Sequence, residues 1–446
     1  MQMTNRVRLL ILAALSIASV GIWTSLLHLT GPQKGDAEEY VRLAENIRTH
    51  GMFATGTPPA PTNDREPGYP AFLAVIFFIF GGASFAGIVF AQSILFAGSA
   101  LLMGLIVERW FPEKRFSPLV LTAAFVLSPI QAQYAGLVLT ETLQTFLLLA
   151  AVWTTTEAIE RKHLPTAVLA SISWAALIMT RLSWLFLPFV ILAAFVGRRD
   201  LPKKILVTLV SCVVLAAGLW SYRNHLALDN WGLTGRVGAL RYVRAVKATY
   251  SKEVRASYWR ATLLGVAFEV RKDAAFDYYR VDGWNEFRDL EDEYTSKGMS
   301  GKDKQLAYGR LSTAAIAAHP FAWGVDGLLE IWKLYTPIAL NGPTTFSFMS
   351  QATSGLFMPV LAMVLLFIRL LTLALLACVA YGAVGLWSKG VGARIIVLTV
   401  LYHSSIYFFF DTISRYQIPA WPLVLFVAAS ACYDVVRKLF IPRKRQ

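Results

Sequence analysis

Apolar and polar positions fall along this chain in long blocks. Leu9 to Leu29 is a predominantly apolar run of about 21 residues, against about 20 for one membrane crossing. It exceeds a signal-peptide core of about 7 to 15 residues, and no small-residue cleavage site follows, so it reads as a retained anchor. Gly35 to Pro70 is the one long polar passage of the first half. Within it Tyr40, Leu43, Ala44 and Ile47 recur at helical spacing, which predicts a helix along the membrane interface, with Asp36 at its start and Asp36, Glu38, Glu39, Arg42 and Glu45 turned to water. Ala71 to Phe80 is apolar, but at about ten residues it is too short to cross a core of about 30 Å and reads as a re-entrant or interfacial helix.

Further runs cover Ala83 to Val107, Pro118 to Ile130, Val138 to Ala158, Ala167 to Thr180, Leu182 to Val196, Ile205 to Trp220, Phe357 to Trp387, Ile395 to Phe410 and Ile418 to Val436. Basic residues at their ends orient them by the excess of Lys and Arg on cytoplasmic loops. The pattern predicts an all-α integral membrane protein of about ten spans, both termini cytoplasmic, with external juxtamembrane helices. Three parts follow: an N-terminal transmembrane module, 1–230, whose first external loop is 30–82; an external helical segment, 231–355, aromatic and free of low-complexity tracts; and a C-terminal transmembrane module, 356–446.

Composition narrows the class. Of 446 residues, 56% are hydrophobic and only 16% charged, outside the usual range of soluble domains. The net charge of +14 would suit nucleic acid, but the Lys and Arg clusters sit at the ends of apolar runs, where orientation explains them, so no nucleic-acid partner is expected. Cys212, Cys378 and Cys432 lie within apolar runs and form neither a disulfide framework nor a thiolate metal site. His28, His319 and His403 lack ligand spacing, and no glycine-rich phosphate loop or nucleotide fingerprint occurs.

Carboxylates at a membrane surface are costly unless they are used. Asp36 followed by Glu39 has the spacing of a capping box, which alone would account for both acids. The same helix terminus also keeps a carboxylate ionised, as a general base requires. Arg65, beside Asp64 and Glu66, reads on its own as a loop salt bridge worth about 0 to 1 kcal/mol. Arg415 reads on its own as an interfacial snorkelling residue, and Arg223-Asn224 as a helix end.

Taken together, Asp36, Tyr40 and Arg65-x-Pro67-x-Tyr69-Pro70 resemble the first external loop of C-type (GT-C) polytopic membrane glycosyltransferases that use polyprenyl-phosphate-linked sugars. That group contains protein O-mannosyltransferases and lipid A aminoarabinose transferases. Leu139-Thr140-Glu141 resembles the acidic residue at the outer end of a later span, Trp220-Ser221-Tyr222-Arg223-Asn224 the W-x-x-R-N of the family, and Arg415-Tyr416-x-x-Pro419 its closing R-Y-x-x-P. The pieces keep the family's order, while 231–355 matches none of its motifs and leaves the acceptor open.

The resemblance implies an inverting transfer of a sugar from a polyprenyl-phosphate donor to a glycan, lipid or protein acceptor, outside the cytoplasmic (inner) membrane. Asp36 is then the candidate general base and Glu141 the second acid. Tyr40, Arg65, Glu66, Tyr69, Arg181, Arg223, Arg369, Arg415 and Tyr416 are candidate substrate-binding residues, the arginines because a fixed guanidinium fork grips phosphate without losing its proton. Glu66 falls where related transferases place a glutamate on a divalent ion, so a metal is an open alternative, and no other cofactor is implied. The rival from another class is a transporter or flippase of an anionic lipid-linked amphiphile, since intramembrane charges also mark transport paths.

Overall fold

The computed structural model describes residues 5–110, 122–123, 125–198, 201–265, 283–336 and 357–440. It is helical nearly throughout. The chain divides into two compact units, Met1–Leu233 with Tyr381–Val400 and Ile418–Gln446, and Thr234–Ala380 with Leu401–Gln417. Residues 381–400 and 418–446 fall in the first of these units and 401–417 in the second.

In the first unit, α1 (Asn5–Leu26) leads to α2 (Asp36–His50). Gly35 opens α2 with φ 83° and Gly51 closes it with φ 65°, left-handed values that cost a residue with a Cβ. A two-residue hairpin follows, β1 (Ala54–Thr55) antiparallel to β2 (Ala60–Pro61), with Ala54 opposite Pro61. It turns the chain back toward α2. Next, α3 (Gly68–Phe80) ends on the left-handed Gly81. At 13 residues and 1.5 Å per residue it extends about 20 Å, short of a bilayer core, as its sequence predicts.

Of the predicted stripe of α2, Tyr40, Leu43 and Ala44 are buried and Ile47 is partly buried, Ala37 joins them inside, and Glu38 and Arg42 are exposed. Ala37, Tyr40 and Ala44 join Tyr69, Leu73 and Phe77 of α3 in one apolar cluster with Tyr134, Leu137, Val138 and Leu143. α2 thus packs on protein through the face that the sequence assigned to the membrane interface. At Gly68 a Cβ would lie 2.7 Å from the backbone of Met179. The start of α3 can approach that closely only with glycine there.

The unit continues through α4 (Phe85–Trp110), α5 (Pro129–Gly136), α6 (Glu141–Arg161), α7 (Leu164–Thr180), a 3-10 turn at Leu182–Trp184, α8 (Leu187–Phe195) and α9 (Lys203–Leu228). α5 and α6 are bent by 116° at their junction, so the run expected from Val138 becomes a helix only at Glu141. Residues 118–121 and 124 of the run expected at Pro118 to Ile130 lie outside the described residues. α9 runs on past Arg223-Asn224 to Leu228, which removes the reading of that pair as a helix end.

In the second unit, α10 (Val237–Val246), α11 (Lys252–Leu264), α12 (Trp284–Ser296), α13 (Gly301–Ala318) and α14 (Pro320–Tyr335) form the segment expected to be short helices. Ser251 and Ser300 cap α11 and α13 by accepting the amides of Val254 and Asp303. The long α15 (Phe357–Trp387), α16 (Val391–Ile406), a 3-10 turn at Ser414–Gln417 and α17 (Trp421–Phe440) complete the chain.

Among the described residues three helices are long and apolar enough to cross a membrane, α4, α9 and residues 362–387 of α15, or four with the bent α5–α6 pair. Shorter apolar helices occupy other apolar runs of the sequence, among them Leu164–Thr180, Leu182–Phe195 and Val391–Ile406. The fold is that of an all-α, multi-pass membrane protein.

Candidate functional site

Gly35 takes the N-cap position of α2, and Asp36 is the first helical residue with no capping bond from a side chain. The capping box predicted from Asp36 and Glu39 is not formed. Both carboxylates turn instead to Arg65, which the hairpin returns to them across 29 and 26 residues. The guanidinium donates from Nε and Nη2 to Glu39 Oε2 at 2.8 and 2.6 Å, and from Nη2 to Asp36 Oδ1 at 2.5 Å. It lies over the Tyr40 ring, 5.1 Å from the centroid.

Arg65 is only 7% exposed, so the sequence reading of an exposed bridge to Asp64 or Glu66 is replaced by a buried cation between two partly exposed acids. Asp64 accepts from Thr62 Oγ1 instead. Burial drives the Arg65 pKa down, but Tyr40, Glu39 and Asp36 more than offset this and hold it above its ordinary value. The guanidinium stays charged.

Tyr40 is buried, and burial pushes its phenol up to about 12; Arg65, Asp36, Glu66 and Arg181 also act on it electrostatically. It therefore keeps its proton at neutral pH and cannot serve as a base. Its ring meets Tyr69 edge to face at 5.1 Å. The Tyr69 hydroxyl donates to Gln92 Oε1 at 3.0 Å, and the Gln92 amide donates to the carbonyls of Ala135 and Leu137. This chain of bonds fixes α3 against the bend between α5 and α6. Burial, then the charges of Glu141 and Tyr40, raise the Tyr69 phenol.

Glu141, first residue of α6, is 2% exposed, whereas the Asp36 side chain retains 27% of its surface. Of the two acids, Asp36 is the more exposed. Glu66 accepts the Leu182 amide at 3.4 Å, and Arg181 closes α7 one residue earlier. Asp36, Tyr40, Arg65, Glu66, Tyr69, Glu141 and Arg181 thus converge within the first unit.

Arg223 supports this region from behind. Its Nη1 and Nη2 donate to the carbonyls of Thr62 and Phe53 at 2.8 and 2.7 Å, and it lies over the rings of Phe53 and Trp220. Asn224 donates to the Gly232 carbonyl and Trp220 Nε1 to that of Leu233. The W-x-x-R-N residues tie down the hairpin and the chain leaving α9, so Arg223 positions the loop that carries Arg65.

In the second unit, Arg369 is 3% exposed and donates to the carbonyls of Leu263 and Leu365 at 2.9 and 3.1 Å. Arg415 lies over the ring of Tyr416, 5.7 Å from its centroid, and Tyr416 stacks on Tyr407. Sequence reasoning missed a buried charge network in the same unit, comprising Lys247, Glu330, Lys333 and Asp411. Its signal was present: Asp326, Glu330 and Lys333 fall at i, i+4 and i+7 on one face of an otherwise apolar helix.

Among the described residues no three His, Cys, Asp or Glu side chains gather to hold a metal ion. Glu66 carries the Leu182 amide on its carboxylate.

Fold and loop together define a multi-pass, all-α membrane protein with an arginine clamped between carboxylates in the loop after its first apolar helix. No family model matches the sequence, and no curated protein does. The structure is similar to that of the Archaeoglobus fulgidus oligosaccharyltransferase in its apo form, at 15% identity and a TM-score of 0.48, covering 97% of this chain and 51% of that one. It is similar also to the oligosaccharyltransferase AglB of the same organism in complex with an inhibitory peptide and a dolichol-phosphate (13% identity, TM-score 0.46, 98% and 52% covered). A third is ArnT from Cupriavidus metallidurans bound to undecaprenyl phosphate, at 12% identity and a TM-score of 0.41, covering 97% and 81%. The chain spans about half the length of the archaeal chains it matches. At these scores the likeness carries no argument about chemistry, which rests on the side chains.

Proposed function

We propose that the chain is an inverting glycosyltransferase that moves a sugar from a polyprenyl-phosphate donor to an acceptor hydroxyl on the external face of the cytoplasmic membrane, with Asp36 as general base. The observation that carries this reading is the Asp36 carboxylate: partly exposed, at the positive end of α2, and held through Oδ1 by a buried arginine that Glu39 also grips. The acceptor O–H gives its proton to Asp36 while its oxygen bonds the anomeric carbon. The bond from that carbon to the phosphate oxygen breaks, and polyprenyl phosphate leaves with the electron pair.

Cations offset the charge that develops on the leaving phosphate. Arg181, whose charge acts on Tyr40, is the candidate beside Asp36; Arg415 is proposed to bind donor phosphate on its R-Y-x-x-P resemblance alone. Glu39, Arg65 and Tyr40 hold the base in place. Glu141, buried beside Tyr69, supports that arrangement.

Asp36→Asn tests the reading, because Asn keeps the size and one acceptor oxygen while Arg65 retains both bonds to Glu39. Single-turnover transfer from a lipid-linked sugar should fall by about 100-fold to 10,000-fold, with donor affinity and melting temperature nearly unchanged. A fully active variant would remove Asp36 as base and return the role to Glu141, or the chain to the transporter class.

A further inference from the structure

The network missed in the sequence joins two parts of the second unit. Lys247 Nζ, at the end of α10, bonds Glu330 Oε1 at 3.1 Å and Asp411 Oδ1; Lys333 Nζ bonds Glu330 Oε2 at 2.9 Å and Asp411 Oδ1 at 3.2 Å. Tyr258 donates to Glu330 at 3.3 Å, and Trp284 Nε1 to Asp411 Oδ2 at 3.0 Å. The Thr412 amide donates to Glu330 Oε2 at 2.8 Å. All four charged side chains are at most 8% exposed, and two cations face two anions.

A buried ion network is a poor device for stability alone, since an apolar replacement of equal volume is often no worse. What it can supply is one definite position for the segment it holds. That segment is 411–417, which has no regular backbone before the 3-10 turn of Ser414–Gln417 and carries Arg415 and Tyr416.

We infer that Lys247, Glu330, Lys333 and Asp411 are positioning residues that fix the Arg415 segment for the donor phosphate, and that this is the task of helices α10, α11, α12 and α14. The inference rests on the proposed role of Arg415 in donor binding. Trp284 and Tyr258 complete the hold on the two acids, so each of the four helices α10, α11, α12 and α14 contributes to it.

The test measures binding of undecaprenyl phosphate to the full chain in nanodiscs. Lys333→Met with Asp411→Asn removes one charge of each sign and leaves Lys247 paired with Glu330, so the unit should stay folded while 411–417 loses its strongest tether. Its Kd should rise at least tenfold, as for Arg415→Gln, and combining all three changes should add little, because both act on one interaction. Trp284→Phe removes a single bond and no charge; it should raise Kd about twofold to fivefold and serves if the double variant fails to fold. Weakened binding in Arg415→Gln alongside wild-type affinity in both network variants would overturn the positioning role while sparing that of Arg415. Unchanged affinity in Arg415→Gln would overturn both.

Discussion

Removing the Arg65 guanidinium should destabilise the first unit by an amount that the local geometry sets. Arg65→Gln leaves Asp36 and Glu39, one turn apart on α2, without the cation that both contact. Deleting one partner of a fully buried pair costs about 3 to 5 kcal/mol, because a buried charge is left uncompensated. Here the carboxylates keep 27% and 25% of their surface, so water recovers part of that loss. The guanidinium's contact with the Tyr40 ring is lost as well, at about 0.5 to 1 kcal/mol. The expected sum is about 2 to 4 kcal/mol, a fall in melting temperature of about 4 to 16 °C at about 2 to 4 °C per kcal/mol. Tryptophan fluorescence on heating the purified protein in detergent reads it. The triple variant Arg65→Gln, Asp36→Asn, Glu39→Gln strands no charge and should recover most of the stability. A melting temperature for Arg65→Gln within 1 °C of wild type, or a triple variant less stable than the single one, would refute the clamp.

Three further outcomes follow from the geometry. Arg223→Gln frees the carbonyls of Phe53 and Thr62 and should speed amide exchange across 53–62 well before it alters α2, as seen by hydrogen-exchange mass spectrometry; equal protection in the variant would remove the tie. Burial raises the Asp411 carboxyl, but Lys247 and Lys333 outweigh it and hold Asp411 well below the carboxylate range; burial lowers Lys247, but Asp411 and Glu330 outweigh it and hold it above its ordinary value. The Asp411 contribution is thus present above about pH 4 and lost as pH falls through its depressed pKa, and that of Lys247 is present below about pH 10 and lost as pH rises through its raised one; the melting difference between wild type and Asp411→Asn should be flat from about pH 5 to 9 and shrink on further acidification. Single cysteines at Thr55 and Gly81 should both label from outside intact cells, since α3 is too short to cross; labelling at Gly81 only after permeabilisation would break the external placement of the loop.

The sequence by itself determined the kinds of element and where several begin. The helix starting at Asp36, its apolar face of Tyr40, Leu43 and Ala44, and the shortness of α3 all follow from spacing, glycine stops and run length, which are local properties of the chain; that this face packs on α3 was decided by the tertiary structure. The sequence did not determine which acid pairs with which base. Arg65 has Asp64 and Glu66 beside it, yet it pairs with Asp36 and Glu39, because the hairpin and the Tyr40–Tyr69 packing decide which side chains meet. The same holds for Lys247 and Asp411, 164 residues apart, whose attraction becomes strong only once tertiary burial has removed the water between them.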